Sequence, residues 1–248
     1  MCVTIRGGNY MQIKVLADSN AVDKRYSIGW GVSFLAGKEV LFDTGEKGQS
    51  LLNNMQQMDA LAADIKAVVL SHDHWDHTGG LWALLEQNPQ IKVYACPNFS
   101  SEFKEKVMSA GAELVEVSRL TQIAEDIYTT GEIAGEYGGG YMAEQSLIIK
   151  SQRGLVVLTG CAHPGIIKIL EKVKETLGGN IYLVMGGFHL MKTDKRVVAL
   201  IINKFRQLGV KKVGATHCSG KEAVELFRKE YQDDFISVKA GMVIKIGD

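Results

Sequence analysis

The sequence predicts a mixed α/β (α+β) protein that folds as a four-layer αββα sandwich, and three observations support this prediction. Short apolar runs split by turn residues fill the first third of the chain, which indicates a β-rich half. The second half repeats a strand, a loop and a helix. Histidine loops follow strand-like runs in both halves, which indicates two β-rich halves around one site, with helices outside.

The elements of the first half follow from short apolar runs and the turn residues that separate them. We predict strands at 12–17, 31–36, 39–42, 66–70, 91–95 and 112–117, and helices at 48–58, 78–87 and 99–110. The helix at 78–87 begins directly after the richest histidine loop. The less regular stretch 118–144 contains one strand at 127–130 and a glycine-rich loop at 135–141, which we expect to be mobile and close to the site.

The second half alternates strands and helices more regularly. We predict strands at 146–150, 155–159, 181–185, 211–215 and 238–246, and helices at 166–177, 195–208 and 221–229. Because no low-complexity linker interrupts the chain, we expect a single domain over residues 11–248, preceded by an N-terminal extension of residues 1–10.

The composition narrows the class of protein. The chain has 248 residues, 46% of them hydrophobic, which is enough for a large core. With 28 basic and 28 acidic residues, a nucleic-acid backbone is not the expected partner. No apolar stretch reaches the roughly 20 residues of a membrane span, and residues 1–10 lack the apolar core of a secretory signal. The four cysteines form no CxxC pair, so we expect a cytoplasmic protein. We expect a small-molecule substrate, and the oligomeric state stays open.

All six histidines lie in four short loops that follow strand-like runs. The richest loop is Ser71-His72-Asp73-His74-Trp75-Asp76-His77. In an extended segment residues i and i+2 point the same way, so His72 and His74 can bind one metal ion from one side. Asp76 and His77 follow the turn toward the helix and can face a second ion. Imidazole and carboxylate ligands suit zinc, with manganese or iron as alternatives.

Further candidates lie in the other histidine loops. His163 and His217 follow strands and complete the predicted set of metal ligands. His189 has the same placement, but we rate contact with a substrate oxygen or a metal-bound water above direct ligation. Asp43 either fixes the tautomer of a ligand histidine through a hydrogen bond or is a plain turn residue before Gly45. Cys161 is either a ligand or a neighbour of one.

Two metal ions with these ligands imply hydrolysis. A metal pair lowers the pKa of a shared water toward neutrality and polarises a carbonyl or phosphoryl oxygen. The expected reaction is therefore hydrolysis of a small ester, lactone, amide or phosphoester. We assign the catalytic roles to Asp76, which holds the second ion and orients the nucleophile, and to His189.

Three motifs resemble the metallo-β-lactamase superfamily. They are His72-x-His74-x-Asp76-His77 after a hydrophobic strand, Leu41-Phe42-Asp43-Thr44-Gly45, and the strand-end residue His217. The resemblance runs from about residue 39 to 220 and implies an αββα fold and, usually, two metal ions.

Three further segments are similar to a subgroup named for 7,8-dihydropterin-6-methyl-4-(β-D-ribofuranosyl)-aminobenzene-5′-phosphate synthase. They are Glu144-Gln145-Ser146-Leu147, the segment from Thr159 to Ile166, and Gly186-Gly187-Phe188-His189-Leu190. This likeness implies a pterin-related transfer reaction as an alternative to hydrolysis. Trp30, Trp75 and Tyr141 are the candidates to stack on a pterin. A metal-holding or ligand-binding protein without catalysis is the third alternative.

The sequence departs from the superfamily pattern at one point. Many members have a separate histidine motif before an aspartate that bridges the two metals. Here no histidine lies between His77 and His163, and Cys161 stands where the bridging aspartate is expected. His163 is therefore the expected replacement for the missing histidine, and Glu144 is a candidate to compensate for the missing carboxylate.

Overall fold

The computed structural model describes residues 11–247, so the predicted extension of residues 1–10 lies outside the described part of the chain. The first half of the chain contains these elements in order: β1 (Met11–Ala17), β2 (Ser33–Ala36), β3 (Val40–Phe42), α1 (Gly48–Gln57), β4 (Ala67–Val69), α2 (Trp75–Thr78), α3 (Leu81–Gln87), β5 (Lys92–Ala95), α4 (Ser101–Ser109) and β6 (Glu113–Glu116).

The second half continues with strands, a short hairpin and three longer helices. In order they are β7 (Thr121–Ala124), β8 (Ile127–Thr129), β9 (Glu136–Tyr137), β10 (Gly140–Tyr141), β11 (Leu147–Ser151), β12 (Gly154–Thr159), α5 (Ile166–Leu177), β13 (Ile181–Gly187), α6 (Lys195–Gln207), β14 (Lys212–Thr216), α7 (Lys221–Tyr231) and β15 (Val243–Ile246). No helix within residues 11–247 is both long and apolar enough to span a bilayer.

The strands form two large sheets. The seven-stranded sheet has the order β15-β1-β2-β3-β4-β5-β6, and the six-stranded sheet has the order β14-β13-β12-β11-β8-β7. Strands β3 to β6 pair in parallel, as do β12, β13 and β14. Because parallel strands end at the same edge of a sheet, the loops that follow them are brought together.

Alternating side chains on the strands produce three buried layers. On β12, Val156 and Leu158 pack between the two sheets, whereas Leu155 and Val157 face the helices α5, α6 and α7. On β4, Val68 faces the helices α1, α3 and α4. The helices match these faces: α5 buries Ile166, Ile169, Leu170 and Val173, one stripe of a 3.6-residue period. The predicted αββα sandwich is thus confirmed.

Several element boundaries differ from the predictions. The predicted helix at 78–87 begins only at Leu81, as α3, whereas Thr78 ends α2. At the break the Gly80 N–H donates to the Gly45 carbonyl oxygen at 3.1 Å and not to a carbonyl of α2. The glycine-rich stretch 135–141 is a hairpin rather than a loop. The strand predicted at 238–246 was too long, since only Val243–Ile246 pairs with β1, and β7 was not predicted.

Candidate metal centre

The four histidine loops meet at one edge of the sandwich. The segment after β4 carries His72 and His74 in a loop and Asp76 and His77 in the short helix α2. The loops after β12, β13 and β14 carry His163, His189 and His217 respectively. His72 and His77 lie with their rings 4.2 Å apart, and His163 lies 4.6 Å from His72 between ring centroids. The structure therefore brings the sequence-predicted ligands together from both sheets.

Asp43 sets the orientation of two of these imidazoles. Its Oδ2 atom accepts hydrogen bonds from His77 Nδ1 at 2.6 Å and from Ser71 Oγ at 2.8 Å. Because the Ser71 hydroxyl gives its only hydrogen to Asp43, it accepts the hydrogen of His72 Nδ1 at 2.8 Å. Both rings thus carry their hydrogen on Nδ1 and present an Nε2 lone pair, the form in which a neutral histidine binds a metal.

The Asp43–His77 contact also affects the charge of the His77 ring in the absence of a metal ion. Burial disfavours the charged ring, but the Asp43 carboxylate outweighs this effect through its charge and its hydrogen bond. Together these interactions raise the pKa of His77 to about 9. A metal ion bound at His77 Nε2 therefore has to displace a proton.

Glu144 organises the loop that carries His163. Its fully buried carboxylate accepts backbone hydrogen bonds from Cys161 at 2.9 Å, Ala162 at 2.8 Å and His163 at 3.0 Å. Its Oε2 atom lies 3.1 Å from His163 Nδ1. Burial alone would raise the pKa of Glu144, but the His163 ring and these N–H donors lower it, so the carboxylate is ionised. Glu144 therefore lies behind the ligands and does not bridge between them.

The atom His163 Nε2 tests whether the site fits a metal ion. It is buried and, like His163 Nδ1, makes no hydrogen bond of good geometry within residues 11–247, although Nδ1 lies 3.1 Å from Glu144 Oε2. A buried nitrogen without a partner is costly unless a ligand binds it. His72 Nε2 and His74 Nδ1 lie 3.0 Å apart, and potential ligand atoms of His72, His163 and Cys161 all lie within 4.8 Å of one another. His72, His74 and His163, which we call the first group of ligands, therefore fit a metal ion.

Asp76, His77, His217 and Cys161 form a second group. Cys161 Sγ lies 3.4 Å from His77 Nε2 and 3.3 Å from His217 Nε2. Asp76 Oδ2 lies 3.5 Å and 3.4 Å from the same two nitrogens. Ligands about 2.0–2.3 Å from a tetrahedral ion lie about 3.3–3.8 Å from one another, so each of these four distances is one expected around a zinc-like ion. Potential ligand atoms of His77, His217 and Cys161 also all lie within 4.8 Å of one another.

His217 differs from the other imidazoles in its tautomer. The backbone N–H of Gly31 donates to His217 Nδ1 at 3.2 Å, so the neutral ring carries its hydrogen on Nε2. A metal ion at Nε2 requires the other tautomer. Gly31 also has a φ of +90°, and a Cβ there would lie 1.8 Å from the carbonyl oxygen of Asp76. Only glycine therefore allows this contact between the two halves of the site.

The second cysteine of the site, Cys218, lies beneath Cys161. Its thiol lies 3.6 Å from the Cys161 carbonyl oxygen. A hydrogen bond with Cys218, together with burial, raises the pKa of the Cys161 thiol above its usual range. A nearby divalent ion has the opposite effect and favours the thiolate, so metal binding at Cys161 releases a proton.

An open pocket of about 740 Å³ leads to both groups of ligands. Its lining includes Trp30, Trp75, Tyr137, Lys192 and His189. Tyr141, predicted to stack on a substrate, is not among the residues that line this pocket; Tyr137 is. Two residues that hold the ligands, Ser71 and Glu144, were missed in these roles, as were Tyr137 and Lys192. Of these four residues, only Ser71 had a local signal in the sequence, namely its position directly before His72.

This chain is similar to known proteins over most of its length. The family model of the Metallo-beta-lactamase superfamily matches residues 32–217. The chain belongs to the metallo-β-lactamase superfamily. It is 32% identical to the 7,8-dihydropterin-6-methyl-4-(beta-D-ribofuranosyl)-aminobenzene-5′-phosphate synthase of Methanocaldococcus jannaschii, over 84% of each chain.

Solved structures of this superfamily share the fold. Tm1679, described as a metal-dependent hydrolase of the β-lactamase superfamily, is 30% identical and superposes with a TM-score of 0.81 over 96% of this chain and 100% of its own. YhfI from Bacillus subtilis, a metallo-beta-lactamase fold protein, is 16% identical and has a TM-score of 0.67 over 96% of this chain and 100% of its own, which shows the fold alone.

Proposed function

We propose that the protein is a metal-dependent hydrolase of small phosphorylated esters. The observation that carries this proposal is the orientation of the imidazoles. Contacts of Nδ1 with Ser71, Asp43 and Glu144 leave Nε2 of His72, His77 and His163 free for a ligand. His72 Nε2 lies 3.0 Å from His74 Nδ1, and His77 Nε2 lies 3.4 Å from Cys161 Sγ, so these atoms gather at one buried centre beside the pocket. The description of Tm1679 as a metal-dependent hydrolase supports the same reaction class.

The residues divide into two groups of metal ligands. His72, His74 and His163 hold the first ion, and Asp76, His77, His217 and Cys161 hold the second. The thiolate of Cys161 favours zinc over manganese or iron. When bound, the two ions supply Lewis acidity and lower the pKa of a water molecule toward neutrality.

His189 is placed to donate a proton to the leaving group. Its ring lies 4.7 Å from the His163 ring and lines the pocket, whereas its backbone N–H is held by Cys218 Sγ at 3.4 Å. A separate interaction of the His189 ring with the Cys218 sulfur outweighs burial and raises the pKa of the ring, which increases the fraction that carries a proton near neutral pH. Asp76, whose Oδ2 lies beside His77 Nε2 and His217 Nε2, would hold the second ion and orient the attacking water.

Lys192 favours a phosphorylated substrate over a neutral ester or lactone. It is exposed and carries the only ammonium or guanidinium group in the pocket lining. An ammonium at the mouth of the pocket can bind a phosphate oxygen without entering the metal centre. Substitution Lys192→Ala should therefore raise KM for phosphorylated substrates about tenfold and leave kcat unchanged.

A pterin-related transfer is the second candidate function. It is favoured by the 32% identity to the Methanocaldococcus jannaschii synthase and by the aromatic residues Trp30, Trp75 and Tyr137 in the pocket. Both reactions use the same metal centre. They differ in whether water or a second organic substrate receives the transferred group.

The test is an activity panel with zinc- or manganese-loaded protein. Phosphodiesters, phosphomonoesters, lactones and a β-lactam are incubated with wild-type protein, with His72→Ala and with Lys192→Ala. We expect phosphoester turnover that His72→Ala abolishes. Binding of a reduced pterin without turnover of any ester would favour the transferase, and ligand binding with no reaction at all would favour a non-catalytic protein.

The role of His189 has its own test. Removing a general acid slows substrates with poor leaving groups more than those with good ones. We expect His189→Gln to lower kcat at least about 100-fold for an alkyl phosphodiester and far less for a nitrophenyl phosphodiester. An equal loss for both substrates would refute proton donation by His189.

A further inference from the structure

The hairpin of β9 and β10 lies over the first group of ligands. The Tyr137 ring centroid lies 4.8 Å from that of His74, 5.0 Å from that of His163 and 5.7 Å from that of His189. Despite these contacts, Tyr137 is 49% exposed and lines the pocket. Part of its ring surface is therefore available to another molecule beside the metal centre.

The base of this hairpin packs tightly, whereas its tip has no close neighbours. A Cβ at Gly135 would lie 2.6 Å from the Met142 carbonyl oxygen and 2.8 Å from the His163 carbonyl carbon, so the base packs tightly on the ligand loop. Tyr141 also donates a hydrogen bond to Glu132 at 3.1 Å. At the tip, a Cβ at Gly138 or Gly139 would meet no atom within 4 Å.

Trp30 lies on the other side of the metal centre. Its ring centroid is 4.6 Å from that of His217, and the residue is 38% exposed. Tyr137 contacts imidazoles of the first group of ligands and Trp30 contacts one of the second. A substrate that reaches both ions therefore passes between two partly exposed aromatic rings, whose faces favour offset stacking on another ring.

We propose that the β9–β10 hairpin is a flap that places Tyr137 against a planar group of the substrate, which makes Tyr137 the residue that selects planar over saturated substrates. The inference rests on the proposed function for the location of the substrate. The tightly packed base and the glycine tip without neighbours leave Tyr137 between the ligand loop and the pocket. Its edge-to-face contacts with His74, His163 and His189 leave part of the ring free to contact a planar group.

The test uses binding, so that it does not depend on turnover. Phenylphosphonate and cyclohexylphosphonate carry the same charge but differ in planarity. Their Kd values are measured by calorimetry on the zinc-loaded protein. We expect the wild type to prefer phenylphosphonate about fivefold, Tyr137→Leu to lose this preference, and Tyr137→Phe to keep it. Tyr182→Leu, which changes a partly buried tyrosine outside the pocket lining, is the control and should also keep it.

Several results would overturn the flap. They are an unchanged preference in Tyr137→Leu, no preference in the wild type, or no binding of either phosphonate. The zinc content of each variant is measured beside its affinity, because loss of zinc in Tyr137→Leu alone would show that the ring only supports the ligands and would also overturn the proposal. Selection of the planar phosphonate without turnover of any ester would support the flap and contradict the proposed hydrolase activity. Turnover of esters without this selection would support the hydrolase and contradict the flap.

Discussion

Substitution Glu144→Gln tests whether a buried carboxylate holds the metal-ligand loop. Glutamine keeps one acceptor oxygen, which can still serve the N–H groups of Cys161 and Ala162. Its amide nitrogen, however, replaces Oε2, the atom that accepts the His163 N–H at 3.0 Å and lies 3.1 Å from His163 Nδ1. Two donors then face a third donor in a buried site.

The expected cost follows from these contacts. Each unsatisfied buried donor costs about 1–3 kcal/mol, and the substitution leaves two of them. We therefore expect Glu144→Gln to lower the free energy of unfolding of the metal-free protein by about 2–6 kcal/mol. Since Glu144 also orients His163, zinc affinity of the folded variant should fall about 10–100-fold.

The assay combines urea denaturation of the metal-free protein with a competitive zinc titration. The matched control is Glu132→Gln, because Glu132 also accepts a backbone hydrogen bond, from Asn98 at 3.0 Å, but is partly exposed. The control should cost less than about 1 kcal/mol and leave zinc affinity unchanged. If Glu144→Gln behaves like the control in both measurements, the carboxylate does not organise the site and our reasoning is wrong.

Three further predictions concern the same centre. In the metal-free protein the pKa of His77 is raised to about 9 from 6.5. The resulting stabilisation is fully present below about pH 6.5 and is lost as the pH rises through about 9, so the urea midpoint of unfolding should fall across this window. Asp43→Asn should remove this pH dependence. With cobalt bound, Cys161→Ser should abolish the sulfur-to-cobalt charge-transfer band whereas Cys218→Ser keeps it, and a band that survives in Cys161→Ser would exclude thiolate ligation by Cys161. Gly31→Ala should lower the free energy of unfolding by about 3 kcal/mol or more, because the new Cβ would collide with the Asp76 carbonyl oxygen. Gly139 also has a positive φ but no neighbours, so Gly139→Ala should cost only about 1–2 kcal/mol. Equal costs of the two variants in urea denaturation would contradict the packing argument.

The local patterns predicted the elements well where periodicity was strong. The apolar run of β12 and the stripe of α5 were found almost at their true bounds, because alternation and the 3.6-residue period are set within a few residues. The hairpin at 136–141 was missed, since two-residue strands with three successive glycines carry no apolar pattern. The strand before residue 243 was overextended because apolar residues there pack without pairing in a sheet.

The sequence by itself determined the order of strands and helices and the residue types at the strand ends, since both are written in short, contiguous stretches. Only the tertiary structure decided which nitrogen each imidazole presents. That choice depends on partners distant in the chain: Asp43 lies 34 residues from His77, and Gly31 lies 186 residues from His217. Such partners meet only because two separately patterned sheets pack face to face, and no local periodicity encodes which side chains then come within hydrogen-bond distance.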